Sequence, residues 1–229
     1  MEILHRQSPS SRQSSLPPFL SALATTAVCL IWPALLAAQS PARLTYTKVL
    51  QGSFPESLAI SVDSNGEGTY EGRKLDEPPG ARMLRLSSAT TRRIFQLAEA
   101  MENFGSVDLE SHKKVANLGL KTFVYEREGR QNRTEFNYTE RREAQELVDL
   151  FEKISSVQQH ILALEHAIKY DPLRLPQELM LIQIDLDRRA LADPEMMLPA
   201  LEKIARNPRF LHLARVRAEN ILHRLQGHN

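Results

Sequence analysis

Short apolar stretches alternate with turn residues between Leu44 and Tyr138, a pattern typical of β-strands joined by hairpins. Residues 58–62 alternate large apolar and small side chains, which predicts a strand with one buried face. Asn65-Gly66 follows, and this dipeptide readily adopts the positive φ angles of a tight hairpin. We therefore predict a hairpin whose return strand covers residues 69–73.

The rest of this half adds a strand, a helix and a second hairpin. A short strand is predicted at residues 83–86, and Ser87-Ser88 offers an N-cap for a helix that ends at Gly105. Residues 120–127 and 131–138 flank a Glu-Gly-Arg turn. The order β-β-β-α-β-β-α predicts an α+β fold, a mainly antiparallel sheet with helices packed on one face. We expect these strand residues to face helices containing Phe95 and Leu147: Leu58, Ile60, Val62, Phe123, Tyr125 and Phe136.

The second half shows helical periodicity, which predicts a C-terminal α-helical bundle. Apolar residues spaced alternately three and four apart form a seam on one long helix: Leu147, Leu150, Ile154, Val157, Ile161 and Leu164. This seam supports either a homodimeric coiled coil or packing against the sheet and the following helices, and we favour the second. Further helices are predicted at residues 177–191, 194–206 and 208–226, with Asp193 and Asn207 as N-caps before prolines.

The N-terminus has the features of a secretory signal peptide. Residues 1–18 are polar with basic side chains, residues 19–36 are apolar, and Ala37-Ala38 supplies small residues at a cleavage site. We predict a signal peptide at residues 1–38 and a protein exported to the periplasm or outside the cell. The alternative is an uncleaved anchor in the inner membrane formed by residues 19–36. The remaining chain divides into an α+β domain at residues 39–155 and a helical domain at 156–229.

Composition and charge exclude several classes of function. The chain has 29 Lys and Arg against 28 Asp and Glu, so it lacks the excess positive charge typical of nucleic-acid-binding proteins. Its only cysteine, Cys29, lies within the predicted signal peptide. The exported protein would therefore contain no disulfide, cysteine-ligated zinc or cysteine nucleophile. We expect no nucleic-acid partner, and contact with a membrane only through an uncleaved N-terminal segment.

No sequence motif predicts a catalytic, metal or cofactor site. Asp63, Asn65 and Glu67 have a spacing compatible with a calcium loop, but the hairpin turn is the favoured interpretation because the later bidentate glutamate is missing. His160 and His166 are six residues apart and fall on different faces of the long helix, which indicates a solvated helix surface. Residues 112–114, His-Lys-Lys, are a minor candidate for contact with an anion.

The C-terminal helices separate their charges. Basic residues dominate the last part of the chain and form a candidate binding surface: Arg206, Arg209, Arg215, Arg217 and Arg224. The preceding segment is acidic. The favoured alternative is that the two segments pair, with Arg215 or Arg217 bound to Asp185 or Asp187.

Two segments resemble known structural families. The sequences LAISVDSNGEGTYEGR and LSSATTRRIFQLAEAM lie within residues 44–155, which resemble a family of secreted bacterial α+β domains of unknown function. Residues 197–225 are similar to one HEAT-like helical hairpin, with Pro199 early in the first helix and Asn207 near the turn. These resemblances imply a fold and no activity.

Export combined with the lack of catalytic motifs predicts a non-catalytic interaction module of the cell envelope, with another envelope protein as its partner. The alternatives are a hydrolase-type envelope enzyme with an unrecognised site and a protein inhibitor of an envelope hydrolase.

Overall fold

The computed structural model describes residues 40–227 of the chain. The predicted signal peptide at residues 1–38, the alternative anchor at 19–36 and the single cysteine lie outside the described residues. Within residues 40–227, no helix is both long and apolar enough to cross a bilayer.

Six strands form one antiparallel sheet, which confirms the predicted α+β fold. The strands are β1 (Arg43–Val49), β2 (Ser57–Asp63), β3 (Glu67–Arg73), β4 (Arg82–Arg85), β5 (Leu120–Arg127) and β6 (Arg130–Phe136). Their order across the sheet is β4-β3-β2-β1-β5-β6, and every neighbouring pair is antiparallel. Both predicted hairpins are present, as β2–β3 and β5–β6.

The strand β1 was not predicted, although it lies in the middle of the sheet. It joins the two hairpins by pairing with β2 on one side and β5 on the other. Leu44 and Tyr46 are its only fully buried apolar residues, and the polar residues Arg43, Thr45, Thr47 and Lys48 fill most of the other positions. Two apolar positions are too few to distinguish a strand from a loop by alternation alone.

Five α-helices follow or interrupt the strands. They are α1 (Ser88–Ala100), α2 (Arg142–Tyr170), α3 (Leu175–Asp187), α4 (Leu198–Arg206) and α5 (His212–Gln226). Ser87 caps α1 as predicted, because its hydroxyl accepts a hydrogen bond from the backbone N–H of Thr90. The predicted start of the last helix at residue 208 is wrong, since α5 begins at His212.

The two predicted proline-linked N-caps are also wrong. Asp193 has a left-handed backbone with φ 53° and makes no capping hydrogen bond to the short 3₁₀ turn that follows it. Its carboxylate instead binds Ser87 and Thr90 at the start of α1. The Asn207 side chain accepts a hydrogen bond from the backbone of Arg209 within a turn rather than in a helix.

Two apolar clusters meet along α2. The first contains the covered face of the sheet, α1 and the beginning of α2, and all six strand residues predicted to face these helices belong to it. Its centre is aromatic: Tyr46 stacks on Phe151 with ring centroids 5.0 Å apart, and Phe123 stacks on Phe104 at 5.1 Å. The second cluster joins the end of α2 to α3, α4 and α5.

The long apolar seam of α2 packs within the chain, as the favoured interpretation predicted. Leu147 and Ile154 are fully buried in the first cluster, while Val157 and Leu164 are fully buried in the second. Leu150 and Ile161 are half-buried against the same clusters. Four of the six residues therefore have no exposed surface with which to contact a second copy of the chain.

Candidate interaction surfaces

One end of the sheet exposes a group of large apolar side chains. Because neighbouring strands are antiparallel, the last residues of β1 and β3 lie at the same end as the first residues of β2 and β5. Six of the thirteen exposed large apolar residues in the described chain lie here. We call this set the apolar end: Val49, Phe54, Leu75, Val115, Leu118 and Leu120. Phe54 is the most exposed of them, at 73%.

Backbone hydrogen bonds to Glu56 hold two of these loops together. The Glu56 carboxylate accepts one bond from the N–H of Gly52, within the β1–β2 loop, at 2.8 Å. It accepts another from the N–H of Leu75, in the β3–β4 loop, at 3.1 Å. These two bonds stabilise the charged carboxylate and lower the pKa of Glu56. The loops that carry Phe54 and Leu75 are therefore fixed next to each other.

The buried Lys121 holds together the chain before β5 and the chain after β6 at this end of the sheet. The Lys121 amine donates to the carbonyls of Leu118, Gly119 and Asn137 at 2.9–3.1 Å. Burial lowers the pKa of Lys121. Gly119 has φ +91°, and a Cβ at this position would lie only 3.0 Å from the Cβ of Leu50. The backbone of Gly119, just before β5, therefore lies directly beside Leu50 at the start of the β1–β2 loop.

Charges around the apolar end have mixed signs. Lys74 and Lys114 are exposed, and so are Asp76 and Glu77. A pocket of about 380 Å³ also borders the apolar end and shares Leu118 with it. Its remaining apolar wall is formed by Phe136, Tyr138 and Val148. The result is an apolar centre, a small adjacent pocket and a polar rim without a dominant charge.

A second surface feature is a cleft of about 730 Å³ between the end of α2 and the α4–α5 turn. Its floor is apolar: Ile168, Pro172, Pro199, Ala200 and Phe210. Three basic side chains line it as well, Lys169, Lys203 and Arg209. We call it the cationic cleft.

The charges of the cationic cleft are only partly compensated. Glu165 lines the cleft, but both of its carboxylate oxygens accept hydrogen bonds from Arg82, at 3.0 and 2.8 Å. The Lys169 amine lies 4.8 Å from the centre of the Tyr170 ring. The side chains of Lys203 and Arg209 make no hydrogen bond or ion pair with any residue of the described range. The cleft therefore has a net positive charge.

The five predicted surface arginines do not form one patch. Arg206 pairs with Glu202 on its own helix, and Arg209 alone of the five lines the cationic cleft. Arg217 donates to the carbonyl of Pro176 in the first turn of α3. Arg224, two turns further along α5, reaches Asp187 at the end of α3 at 2.6 Å.

The predicted partners of Arg215 and Arg217 are therefore wrong, although the acidic and basic helices do pair. The order of the contacts shows that α3 and α5 run parallel, which brings Arg224 rather than Arg217 to Asp187. Asp185 instead contacts His160 of α2 at 2.8 Å. The Nε of Arg215 is buried and makes no hydrogen bond within the described chain.

The remaining sequence candidates have structural partners. Asp63 accepts hydrogen bonds from the backbone of Asn65 and Glu67 within the turn between β2 and β3, which confirms the predicted hairpin. Within residues 40–227, no group of three or more His, Cys, Asp or Glu residues could hold a metal ion.

Two histidines differ in their surroundings. The predicted solvated position of His160 is wrong, because its side chain is only 12% exposed and faces α3. His112 is exposed and lies 2.8 Å from Asp108, which raises the pKa of His112. Next to it, the Lys113 amine donates a hydrogen bond to the Glu140 carboxylate. The positive charges of His112 and Lys113 are therefore both paired with carboxylates and less available to an external anion.

Comparison with known proteins assigns no family to the chain: no protein-family model matches it, and no curated protein is significantly similar. The resemblances of residues 44–155 and 197–225 to known structural families stay predictions.

Proposed function

We propose that the protein is an exported, non-catalytic module of the cell envelope that binds another envelope protein through the apolar end. The observation that carries this proposal is the grouping of six exposed apolar side chains at one end of the sheet, where Glu56 holds the loops of Phe54 and Leu75 together. Large groups of exposed apolar side chains, especially those surrounded by polar residues, mark binding sites in soluble proteins. The patch would be buried when the partner binds.

A protein partner suits this surface better than a lipid bilayer does. An anionic membrane surface favours clustered lysine and arginine side chains. The rim here combines Lys74 and Lys114 with Asp76 and Glu77, so it has no excess positive charge. An apolar centre surrounded by polar groups is the usual arrangement of a protein interface. The adjacent pocket could receive one apolar anchor side chain of the partner.

Substitutions at exposed apolar positions test the binding surface directly. Phe54→Ser and Leu120→Thr remove apolar area from the apolar end, whereas Met83→Ser removes a comparable side chain from the edge strand β4. Met83 is 82% exposed and serves as the matched control. All three variants should keep a stability within about 0.5 kcal/mol of the wild type, as is usual for surface sites.

The assay is photo-crosslinking in envelope extracts with a crosslinkable residue at position 118. We expect one dominant adduct, which the Phe54→Ser and Leu120→Thr variants reduce and Met83→Ser leaves unchanged. An adduct of equal yield in all three variants, or no adduct at all, would contradict the proposal.

Export is the second part of the proposal, and it rests on the apolar residues 19–36 followed by Ala37-Ala38. N-terminal sequencing of the native protein from an envelope fraction should begin at Gln39. Recovery of a chain with an intact N-terminus from the cytosolic fraction would refute cleaved export.

A further inference from the structure

We infer that the cationic cleft binds a single-chain anionic amphiphile, a molecule with a carboxylate or phosphate head and an apolar tail. This site lies among the C-terminal helices and is separate from the apolar end. The inference does not depend on the proposed function, and either can fail without the other.

The size and floor of the cleft suit a small apolar ligand. Its volume of about 730 Å³ falls within the range of roughly 300–1,000 Å³ that is typical of small-molecule sites. Ile168 comes from α2, Pro199 and Ala200 come from α4, and Phe210 comes from the loop before α5. Such sites combine apolar walls with a few convergent polar groups that orient the ligand.

The basic side chains without an acidic partner favour a ligand that carries a negative charge. Lys203 and Arg209 have no partner in the described chain, while the only carboxylate in the cleft, that of Glu165, is already bound by Arg82. The planar fork of Arg209 can bind a carboxylate or a phosphate through two hydrogen bonds. A low-dielectric apolar wall beside these cations strengthens their attraction for an anion.

The arrangement favours an amphiphile over a simple anion or a nucleic acid. An inorganic anion would bind the cations and leave the apolar floor exposed to water. A nucleic acid gains affinity from many phosphate contacts, on the order of 6–10 in a typical complex. Among the described residues, the basic side chains that line the cleft are the three of Lys169, Lys203 and Arg209. One anionic head and one apolar tail use both parts of the site.

The primary test is calorimetric titration of the purified protein with dodecanoate and with dodecyl phosphate, below their micelle concentrations. Dodecyl maltoside has a comparable tail without charge, dodecyltrimethylammonium carries the opposite charge, and acetate and inorganic phosphate lack a tail. We expect saturable binding of at least one anionic amphiphile and much weaker binding of all four controls. Binding of dodecanoate alone indicates a carboxylate site, and binding of dodecyl phosphate alone indicates a phosphate site.

Charge reversal locates the binding site. The double variant Lys203→Glu with Arg209→Glu should weaken binding by about tenfold or more, the loss expected from two exposed ion pairs worth up to about 1 kcal/mol each. Arg92→Glu with Arg142→Glu is the matched control, because it makes the same change in net charge at two exposed residues without a partner in the described chain, outside both the cleft and the apolar end. This control should leave the affinity unchanged.

The apolar floor is tested separately. Ala200→Trp would fill part of the cleft and should abolish binding. Nuclear magnetic resonance spectra of the unmodified protein should show ligand-dependent shifts of the Ile168 and Ala200 methyl groups, a readout that needs no variant. Equal binding of dodecyl maltoside, an unchanged affinity after charge reversal in the cleft, or unshifted methyl signals would overturn the inference. So would the absence of binding by both anionic probes.

Discussion

Replacement of Asp193 by alanine should lower the free energy of unfolding by more than is usual for a surface residue. Asp193 is half-buried and makes several hydrogen bonds. The Asp193 carboxylate accepts hydrogen bonds from the N–H of Ser87 at 2.6 Å, from the Ser87 hydroxyl at 2.8 Å and from the Thr90 hydroxyl at 2.6 Å. It therefore connects the start of α1 to the segment before α4. Three partly exposed hydrogen bonds at the lower end of their usual range contribute about 1.5–2 kcal/mol.

Two further effects add to this loss. The negative charge lies at the N-terminus of α1, where it interacts favourably with the helix dipole by roughly 0.5 kcal/mol. Asp193 also has φ 53°, a left-handed conformation that costs alanine about 1 kcal/mol. We expect Asp193→Ala to reduce the free energy of unfolding by about 3 kcal/mol in total. For a chain of this size the melting temperature should fall by roughly 6–12 °C.

Variants separate these contributions. Asp193→Gly removes the side chain without the backbone cost, so it should be about 1 kcal/mol more stable than Asp193→Ala. Asp193→Asn tolerates the left-handed backbone but loses the charge, and we expect a loss of about 1 kcal/mol. Asp76→Ala, at an exposed loop acid, is the control and should change stability by less than about 0.5 kcal/mol.

The decisive measurement is a double-mutant cycle of Asp193→Ala with Ser87→Ala, followed by urea unfolding. Residues in direct contact should show a coupling free energy of about 1 kcal/mol. Additive effects of the two substitutions, or a loss below about 0.5 kcal/mol for Asp193→Ala, would refute this account of the contact.

Three other predictions concern the core, the close approach of β3 to β2 at Gly68, and the titration of His112. Ile60→Ala should cost about 2–5 kcal/mol in urea unfolding, because Ile60 is fully buried beneath the helices. Gly68→Ala should destabilise far more than Gly80→Ala, since an added Cβ would lie 1.8 Å from a backbone carbonyl at the first position and meets nothing within 4 Å at the second. Thermal unfolding of both glycine variants checks this. The pKa of His112, raised by Asp108, should fall toward its usual value in Asp108→Asn when followed by nuclear magnetic resonance. Because the folded pKa is raised, any stability from this pair is complete below a pH of about 6.5 and disappears as the pH rises through the folded value.

Local sequence signals predicted the hairpins because their geometry is set within a few residues. Gly66 and Gly129 both have positive φ angles, the conformation that their turns require. The covered face of the sheet was also predictable, because Ile60 and Phe123 occupy alternating positions on long strands. In each case the residues that give the prediction are the same residues that form the turn or the strand.

Contacts between distant segments were not predictable in this way. Asp193 precedes a proline and resembles an N-cap, yet its partner Ser87 lies 106 residues away. The support of the apolar end by Lys121 depends on carbonyls that only the folded loops bring together. The cationic cleft combines Lys169 with Lys203, and their proximity depends on how α4 packs against α2. Periodicity identifies the helices but does not specify which ends meet.

The continuity of α2 also determines how the protein should unfold. Ile154 belongs to the apolar cluster under the sheet and Val157 to the cluster of the C-terminal helices, less than one helical turn apart. Melting of either cluster would remove the packing that keeps the middle of this helix ordered, so the other cluster would lose part of its support. We expect one cooperative calorimetric transition for residues 40–227, and the slowest amide hydrogen exchange in the centre of α2. Expression of the sheet or of the C-terminal helices alone would leave half of that helix without its packing partners.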